Sequence, residues 1–78
     1  MGEQAIIVYT QHHCPQCQDV KAFLRQRGLA FEEKNVMDDK SAMAELMELG
    51  VMSVPVTIVG GEDVVLGFNR KRLEALLA

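Results

Sequence analysis

Both cysteines of this 78-residue chain stand in one short segment, Cys14-Pro15-Gln16-Cys17. Thiols three residues apart on a helix lie on one face, within reach of a disulfide bond. If the helix begins at Pro15, Cys14 occupies its N-cap, where unpaired backbone N–H groups and the helix dipole favour a thiolate. The spacing predicts a redox pair in which Cys14 is the nucleophile and the deeper Cys17 resolves the mixed disulfide.

The same two cysteines allow two other interpretations, a structural staple and a metal site. A disulfide across about four residues closes a very short loop, so it restrains the unfolded chain less than a long-range bridge. A structural zinc ion needs four ligands, and the only histidines, His12 and His13, lie beside the cysteines. We expect no metal there. The histidines are interpreted as exposed loop residues, with tuning of Cys14 by their positive charge as the alternative.

The charge balance bears on the partners. A net charge of -3 argues against nucleic acid, which requires a clustered basic face. The one basic run, Arg70-Lys71-Arg72, is interpreted as a solvated face, with attraction of an acidic partner as the alternative. The N-terminal apolar run is too short for a signal peptide or a membrane span. We expect a cytoplasmic monomer, with no membrane partner, in a reducing compartment where a close cysteine pair is catalytic or metal-binding.

The apolar pattern predicts the elements that position the cysteines. A strand over Ala5 to Tyr9 leads into the cysteine segment, and a helix from Pro15 to the stop signal at Gly28 follows it. A strand near residues 31–36 comes next. Asp38, Asp39 and Ser41 are candidate caps of a second helix that ends at Gly50.

The segments "VPVTIV" and "VVL" flank "GGED", which predicts an antiparallel hairpin, and Asn69 can cap a last helix to about Leu77. We predict one domain over residues 1–78 of class α/β, in the order β-α-β-α-β-β-α, with a mixed four-stranded sheet flanked by helices. Met43 and Met47 share the apolar face of the second helix with Ala42, Leu46 and Leu49. We interpret the two methionines as core rather than as binding residues.

Three segments together resemble a known family: "VYTQHHCPQC", then "SVPVTIV", then Gly67-Phe68 before the last helix. The chain is similar over essentially its whole length to the glutaredoxins, and more closely to the small glutaredoxin-like redoxins that donate hydrogen to ribonucleotide reductase. The resemblance implies a thioredoxin fold. It also implies a cis peptide bond between Val54 and Pro55 that faces Cys14, with the Val54 backbone pairing with the thiol substrate.

The resemblance further indicates which residues surround the substrate, and where this chain departs from the family. The implied substrate-binding positions are Gln11, His13, Pro15, Gln16, Val54, Pro55, Gly67, Phe68 and Asn69. Glutaredoxins usually carry a lysine at the position of Gln11. Glutaredoxins also hold the amino end of glutathione with two glycines and an acidic pair, and here Phe68 replaces the second glycine while Asn69 and Arg70 replace the acids. Gly67 and Phe68 are interpreted either as a docking surface or as a bend followed by a buried aromatic residue.

The function that we expect is thiol–disulfide oxidoreduction with no tightly bound cofactor. The protein would reduce a disulfide in a partner such as ribonucleotide reductase and be recycled by thioredoxin reductase, which the departures favour, or by glutathione. A glutathione-dependent glutaredoxin is one alternative. An alternative of another class is an iron–sulfur carrier, because some glutaredoxins hold a cluster between two subunits with glutathione.

Overall fold

The computed structural model describes residues 5–77 and confirms the predicted order of elements. The strands and helices are β1 Ile6–Thr10, α1 Pro15–Gln26, β2 Glu32–Asn35, α2 Lys40–Glu48, β3 Val56–Val59, β4 Asp63–Leu66 and α3 Arg70–Leu77. Over this described part of the chain, no helix is long and apolar enough to cross a membrane.

The strands form one mixed sheet in the order β2-β1-β3-β4, as the sequence predicts. β1 lies in the interior of the sheet, parallel to β2 and antiparallel to β3. β3 and β4 form the predicted hairpin, and Gly60 and Gly61 have positive φ angles of 66° and 79° in its turn. The cysteine segment therefore lies at the end of the sheet where β1 ends and β3 begins.

Helices cover both faces of the sheet because successive strand residues point to opposite sides. Ile6 and Val8 of β1 join a core with side chains of α1 and α3, whereas Tyr9 joins a second core with α2. Leu73 of α3 is fully buried, and Leu76 and Leu77 pack against the same core, as predicted. The redox segment thus starts a helix that is held by the sheet below it and by α3 beside it.

Local signals fix the helix ends. Two backbone hydrogen bonds of 3.0 Å close α1 around Gly28, whose φ of 69° suits a residue without Cβ. Of the three candidate caps of α2, Asp39 takes the position, since its side chain accepts from the N–H groups of Ser41 and Ala42. Asn69 caps α3 by accepting from the Arg72 N–H at 3.2 Å.

The interpretation of Met43 and Met47 as core residues is wrong. Ala42 and Leu46 fill the core beneath α2, while Met43 and Met47 are 38% and 60% exposed, and Leu49 is exposed too. Ala42 and Leu46 form one apolar stripe of α2, and Met43 and Met47 form a second stripe about 100° around the helix from the first. Both stripes are apolar, so the sequence pattern does not distinguish them. The sheet is covered by the stripe of Ala42 and Leu46, which join the core that contains Tyr9.

Candidate active site

Cys14 and Cys17 lie at the start of α1 and are joined as a disulfide, with 5.2 Å between their Cα atoms. Cys14 has the extended backbone of an N-cap, as predicted, and its Sγ accepts a hydrogen bond from the Cys17 N–H at 3.1 Å. Cys17 is 1% exposed, whereas Cys14 is half-buried. Only one of the two sulfurs is therefore open to an incoming disulfide.

The loop before Cys14 turns sharply into the helix. Gln11, His12 and His13 are all exposed, which confirms the interpretation of the histidines as loop residues. His13 has φ 58°, an uncommon conformation for a residue other than glycine. His12 Nε2 lies 3.0 Å from an Asp38 carboxylate oxygen, so this imidazole is paired with an acid.

Two distant segments meet the redox loop. The Val54-Pro55 peptide bond is cis, and Pro55 is fully buried. The Pro55 carbonyl accepts from the Gly67 N–H at 2.9 Å, and a Cβ added to Gly67 would lie 3.4 Å from Oε1 of Gln16. The structure therefore brings Gln16, Pro55 and Gly67 together beside the disulfide. Pro15 and Gln16 are exposed at the surface of this cluster.

The residues after Gly67 have visible structural roles. Phe68 is partly buried against the core of α1 and α3, where its ring meets Phe23 edge to face at 6.3 Å. Asn69 uses its side-chain oxygen as the cap of α3. These contacts correspond to the bend and the buried aromatic residue, and a part for either residue in substrate binding stays a prediction. In the adjacent basic run, Arg70 is paired with Glu74 at 3.0 Å.

The sequence of residues 6–64 matches the family model described as Glutaredoxin. The chain belongs to the glutaredoxin family. With its Cys14-Cys17 pair it is a glutaredoxin-like thiol–disulfide oxidoreductase of thioredoxin fold, as the resemblance implied. Among its relatives is an uncharacterised glutaredoxin-like protein of 8.6 kDa in the rubredoxin operon of Clostridium pasteurianum, 32% identical over 92% of this chain and 96% of that protein.

Two solved structures show the same fold. The thioredoxin-like protein BC3987 superposes with a TM-score of 0.86 at 41% identity, over 92% of this chain and 99% of that one. The glutaredoxin-like NrdH-redoxin from Escherichia coli, which has a thioredoxin-like activity profile, gives a TM-score of 0.83 at 32% identity, over 92% and 93% of the two chains. This glutaredoxin therefore resembles small redoxins along nearly its entire length.

A buried lysine that sequence analysis missed ties α1 to the sheet. Lys21, one helical turn after Cys17, is buried and donates to Glu33 Oε2 on β2 at 2.9 Å. Thr10, at the end of β1, donates to the same oxygen at 2.8 Å. The hydrogen bond from Lys21 lowers the pKa of Glu33, with Thr10 adding to the effect and burial opposing it. The available signal was a lysine on the sheet-facing stripe of α1.

A second polar cluster anchors α2 on the opposite face. The Tyr9 hydroxyl donates to Glu45 Oε1 at 2.7 Å, and Lys34 Nζ donates to the same oxygen at 2.9 Å. Burial raises the pKa of Tyr9, and the hydrogen bond to the Glu45 carboxylate raises it further. Hydrogen bonds from Lys34 and then Tyr9 lower the pKa of Glu45. The last two residues of β1, Tyr9 and Thr10, are therefore each held by a hydrogen bond to a carboxylate.

An open groove lies along α2. It has a volume of about 320 Å³, and Gln11 and Val54 form part of its wall. Its other lining residues are Val36, Met43, Leu46, Met47, Val51, Met52 and Ser53. Sequence analysis missed this groove because its methionines had been placed in the core. We call it the methionine groove.

Proposed function

We propose that this glutaredoxin reduces disulfide bonds in other proteins through a mixed disulfide at Cys14. The Cys14 thiolate attacks one sulfur of the substrate disulfide, and the other substrate sulfur leaves as a thiolate. Cys17 then attacks Cys14 Sγ, forms the intramolecular disulfide and releases the second substrate thiol. Two electrons pass from the protein dithiol to the substrate. The observation that carries this assignment is the contrast between half-buried Cys14 and buried Cys17.

The N-cap geometry supports the first step. The Cys17 N–H, 3.1 Å from Cys14 Sγ, and the positive end of the dipole of α1 stabilise negative charge on that sulfur. A stabilised thiolate is more abundant before the first step. In the second step Cys14 Sγ is the sulfur that Cys17 attacks, and the substrate sulfur is the leaving group.

We further propose that thioredoxin reductase, rather than glutathione, recycles the oxidised protein in the cytoplasm. Gln11 replaces the lysine typical of glutaredoxins. The side chains of Phe68 and Asn69, at the positions of the glutathione-binding glycine and acid, pack in the core and cap α3. The thioredoxin-like activity profile of the Escherichia coli NrdH-redoxin supports the same choice. As with the redoxins, ribonucleotide reductase is the representative substrate.

Trapping of mixed disulfides tests the cysteine roles. Cys17→Ser should accumulate a covalent complex with a disulfide substrate that dithiothreitol releases, because the resolving thiol is missing. Cys14→Ser is the matched control and should trap little, since the remaining thiol is buried. Equal trapping by both variants would contradict the assignment.

NADPH consumption with an insulin disulfide substrate tests the electron source. Parallel assays contain either thioredoxin reductase or glutathione with glutathione reductase. We expect turnover with the first system. Turnover with glutathione alone would leave the dithiol mechanism intact and overturn the choice of reductant.

A further inference from the structure

Within residues 5–77, Lys21 is the one charged residue that is buried. It lies on α1 four residues after Cys17, and the two residues are 9% and 1% exposed, respectively. Side chains four residues apart on a helix are neighbours, with about 5–6 Å between their Cβ atoms. The protein therefore carries a buried positive charge about one helical turn from the resolving thiol.

Two residues of the sheet hold this lysine in place. Lys21 Nζ donates to Glu33 Oε2 at 2.9 Å, and the Thr10 hydroxyl donates to the same oxygen at 2.8 Å. The hydrogen bond from Lys21 lowers the pKa of Glu33, so the carboxylate is ionised at neutral pH. One positive and one negative charge thus face each other between the first turns of α1 and the sheet.

The surroundings of the Lys21–Glu33 pair offer no comparable charge among the described residues. One row of residues runs in register across the four strands beneath α1, and only its first member is charged: Glu33, Val8, Thr57 and Val65. The titratable residues of the redox loop and of α1 are exposed: His12, His13, Asp19 and Arg25. Arg27 and Arg70 are paired with Glu74. Solvent screens exposed charges, so the buried pair acts most strongly on Cys17.

We propose that Lys21, held by Glu33, stabilises the Cys17 thiolate that attacks the mixed disulfide and thereby sets the rate of the resolving step. The inference rests on the proposed function, because it concerns the second step of that reaction. Burial in apolar surroundings disfavours a thiolate, and a neighbouring positive charge offsets this cost. Lys21 and Glu33 act through Cys17 and not on the substrate.

The resolving step itself conserves atoms and electrons. The Cys17 proton passes to solvent, and the Cys17 sulfur then forms a bond with Cys14 Sγ. The bond between Cys14 Sγ and the substrate sulfur breaks, and the substrate sulfur leaves with its electron pair as a thiolate. Lys21 keeps its proton throughout, so its part in the step is electrostatic.

Removal of either charge should change the resolving step in opposite directions. Lys21→Met leaves the negative charge of Glu33 alone and disfavours the thiolate, whereas Glu33→Gln leaves the positive charge alone and favours it. A shift of about one pH unit in the titration changes the thiolate fraction about tenfold, and the altered nucleophilicity opposes about threefold of that change. At neutral pH the resolving step should therefore be about threefold slower in Lys21→Met and about threefold faster in Glu33→Gln.

Stopped-flow reaction of the pre-reduced protein with the symmetric aromatic disulfide DTNB separates the two steps. Attack by Cys14 releases one coloured thiolate, and the attack by Cys17 releases the second. Cys17→Ser assigns the phases, because it should release only the first. The pH midpoint of the second phase should rise by about one unit in Lys21→Met and fall by about one unit in Glu33→Gln.

A second lysine–glutamate pair supplies matched controls. Lys34 Nζ donates to Glu45 Oε1 at 2.9 Å, beneath α2 on the opposite face of the sheet. Lys34→Met and Glu45→Gln alter the net charge in the same way as the two test variants. Both should leave the second phase within about twofold of wild type, because their charges lie far from Cys17.

The outcomes separate the two proposals. A wild-type protein that releases no coloured thiolate, or only one, would refute the proposed function. Two phases of which the second changes in the same direction in Lys21→Met and Glu33→Gln, changes in neither, or changes equally in the control pair refute the role of Lys21 alone. If Lys21→Met does not fold, Glu33→Gln decides, because lost packing does not account for a faster resolving step.

Discussion

Replacement of Glu33 by glutamine should loosen the attachment of α1, the helix that carries the redox pair. In the folded protein one carboxylate oxygen accepts from both Lys21 and Thr10, at 2.9 and 2.8 Å. Glutamine keeps the size of the side chain and an acceptor oxygen but removes the charge that faces the buried ammonium group. Glu32→Gln is the matched control, because Glu32 is the adjacent residue of β2 and is exposed.

The expected loss of folding free energy in Glu33→Gln depends on how exposed the Lys21–Glu33 ion pair is. A hydrogen bond to a charged group contributes about 1.5–3 kcal/mol. The Glu33 side chain is 35% exposed, so solvent screening reduces the loss on neutralisation to about 1 kcal/mol. In a domain of this size, that loss lowers the melting temperature by about 4–8 °C. Glu32→Gln should change stability by less than about 0.5 kcal/mol.

Acid should remove the difference between wild type and Glu33→Gln. The pKa of Glu33 is lowered in the folded protein, so the carboxylate stabilises the fold above its unfolded pKa of about 4.3. That contribution is lost as pH falls through the lower folded pKa, where both states become protonated. The variant lacks this carboxylate, so its free energy of unfolding should fall less steeply than that of wild type as the pH is lowered.

Thermal unfolding followed by circular dichroism, at neutral pH and through the acid range, measures both effects. Equal melting temperatures for Glu33→Gln and Glu32→Gln at neutral pH would show that the ion pair does not anchor α1. A difference from wild type that persists in strong acid would show that the loss does not come from charge.

Two other pairs of substitutions test the packing of the core and the conformation of the backbone. Leu73→Ala should destabilise the protein by about 2–5 kcal/mol, because Leu73 is fully buried. Leu66→Ala, at an exposed position, is the control and should cost far less. Similar midpoints of urea unfolding for the two variants would refute this assignment of the core. Gly67→Ala and Gly61→Ala should each lower the free energy of unfolding by about 1–2 kcal/mol, because both positions have a positive φ angle. The added methyl group at Gly67 would make only an ordinary contact, at 3.4 Å. A far larger loss of stability at Gly67 would show that its surroundings are tighter than the structure describes.

Elements with their own local signals could be predicted from sequence. Cys14 followed by Pro15 specifies a helix start, and the paired glycines at 60 and 61 specify a tight hairpin. The cis bond before Pro55 came from the family resemblance, because spacing alone does not distinguish cis from trans. Contacts such as that of Gly67 with Pro55 form only when the strands have assembled into the sheet, and the sequence carries no local sign of them.

The error at α2 has a geometric cause. A helix with two adjacent apolar stripes has no internal feature that shows which stripe meets the sheet. The surroundings decide, and here Ala42 and Leu46 face inward while Met43 and Met47 border an open surface. Lys21 was missed for the opposite reason, since its partner Glu33 lies on another element and pairing between elements cannot be deduced from a helical wheel.

The position of β1 between β2 and β3 determines the order in which the candidate site is assembled during synthesis of the protein. Pairing places Ile6 beside Val59, so one flank of β1 stays unpaired until the ribosome has made β3. A nascent chain of fifty residues already carries both thiols but lacks Pro55 and Gly67. Because non-local pairing must wait for its partner strand, the cysteines are present before the residues that surround them in the folded protein. The residues around the disulfide are therefore complete only after Gly67 has been added.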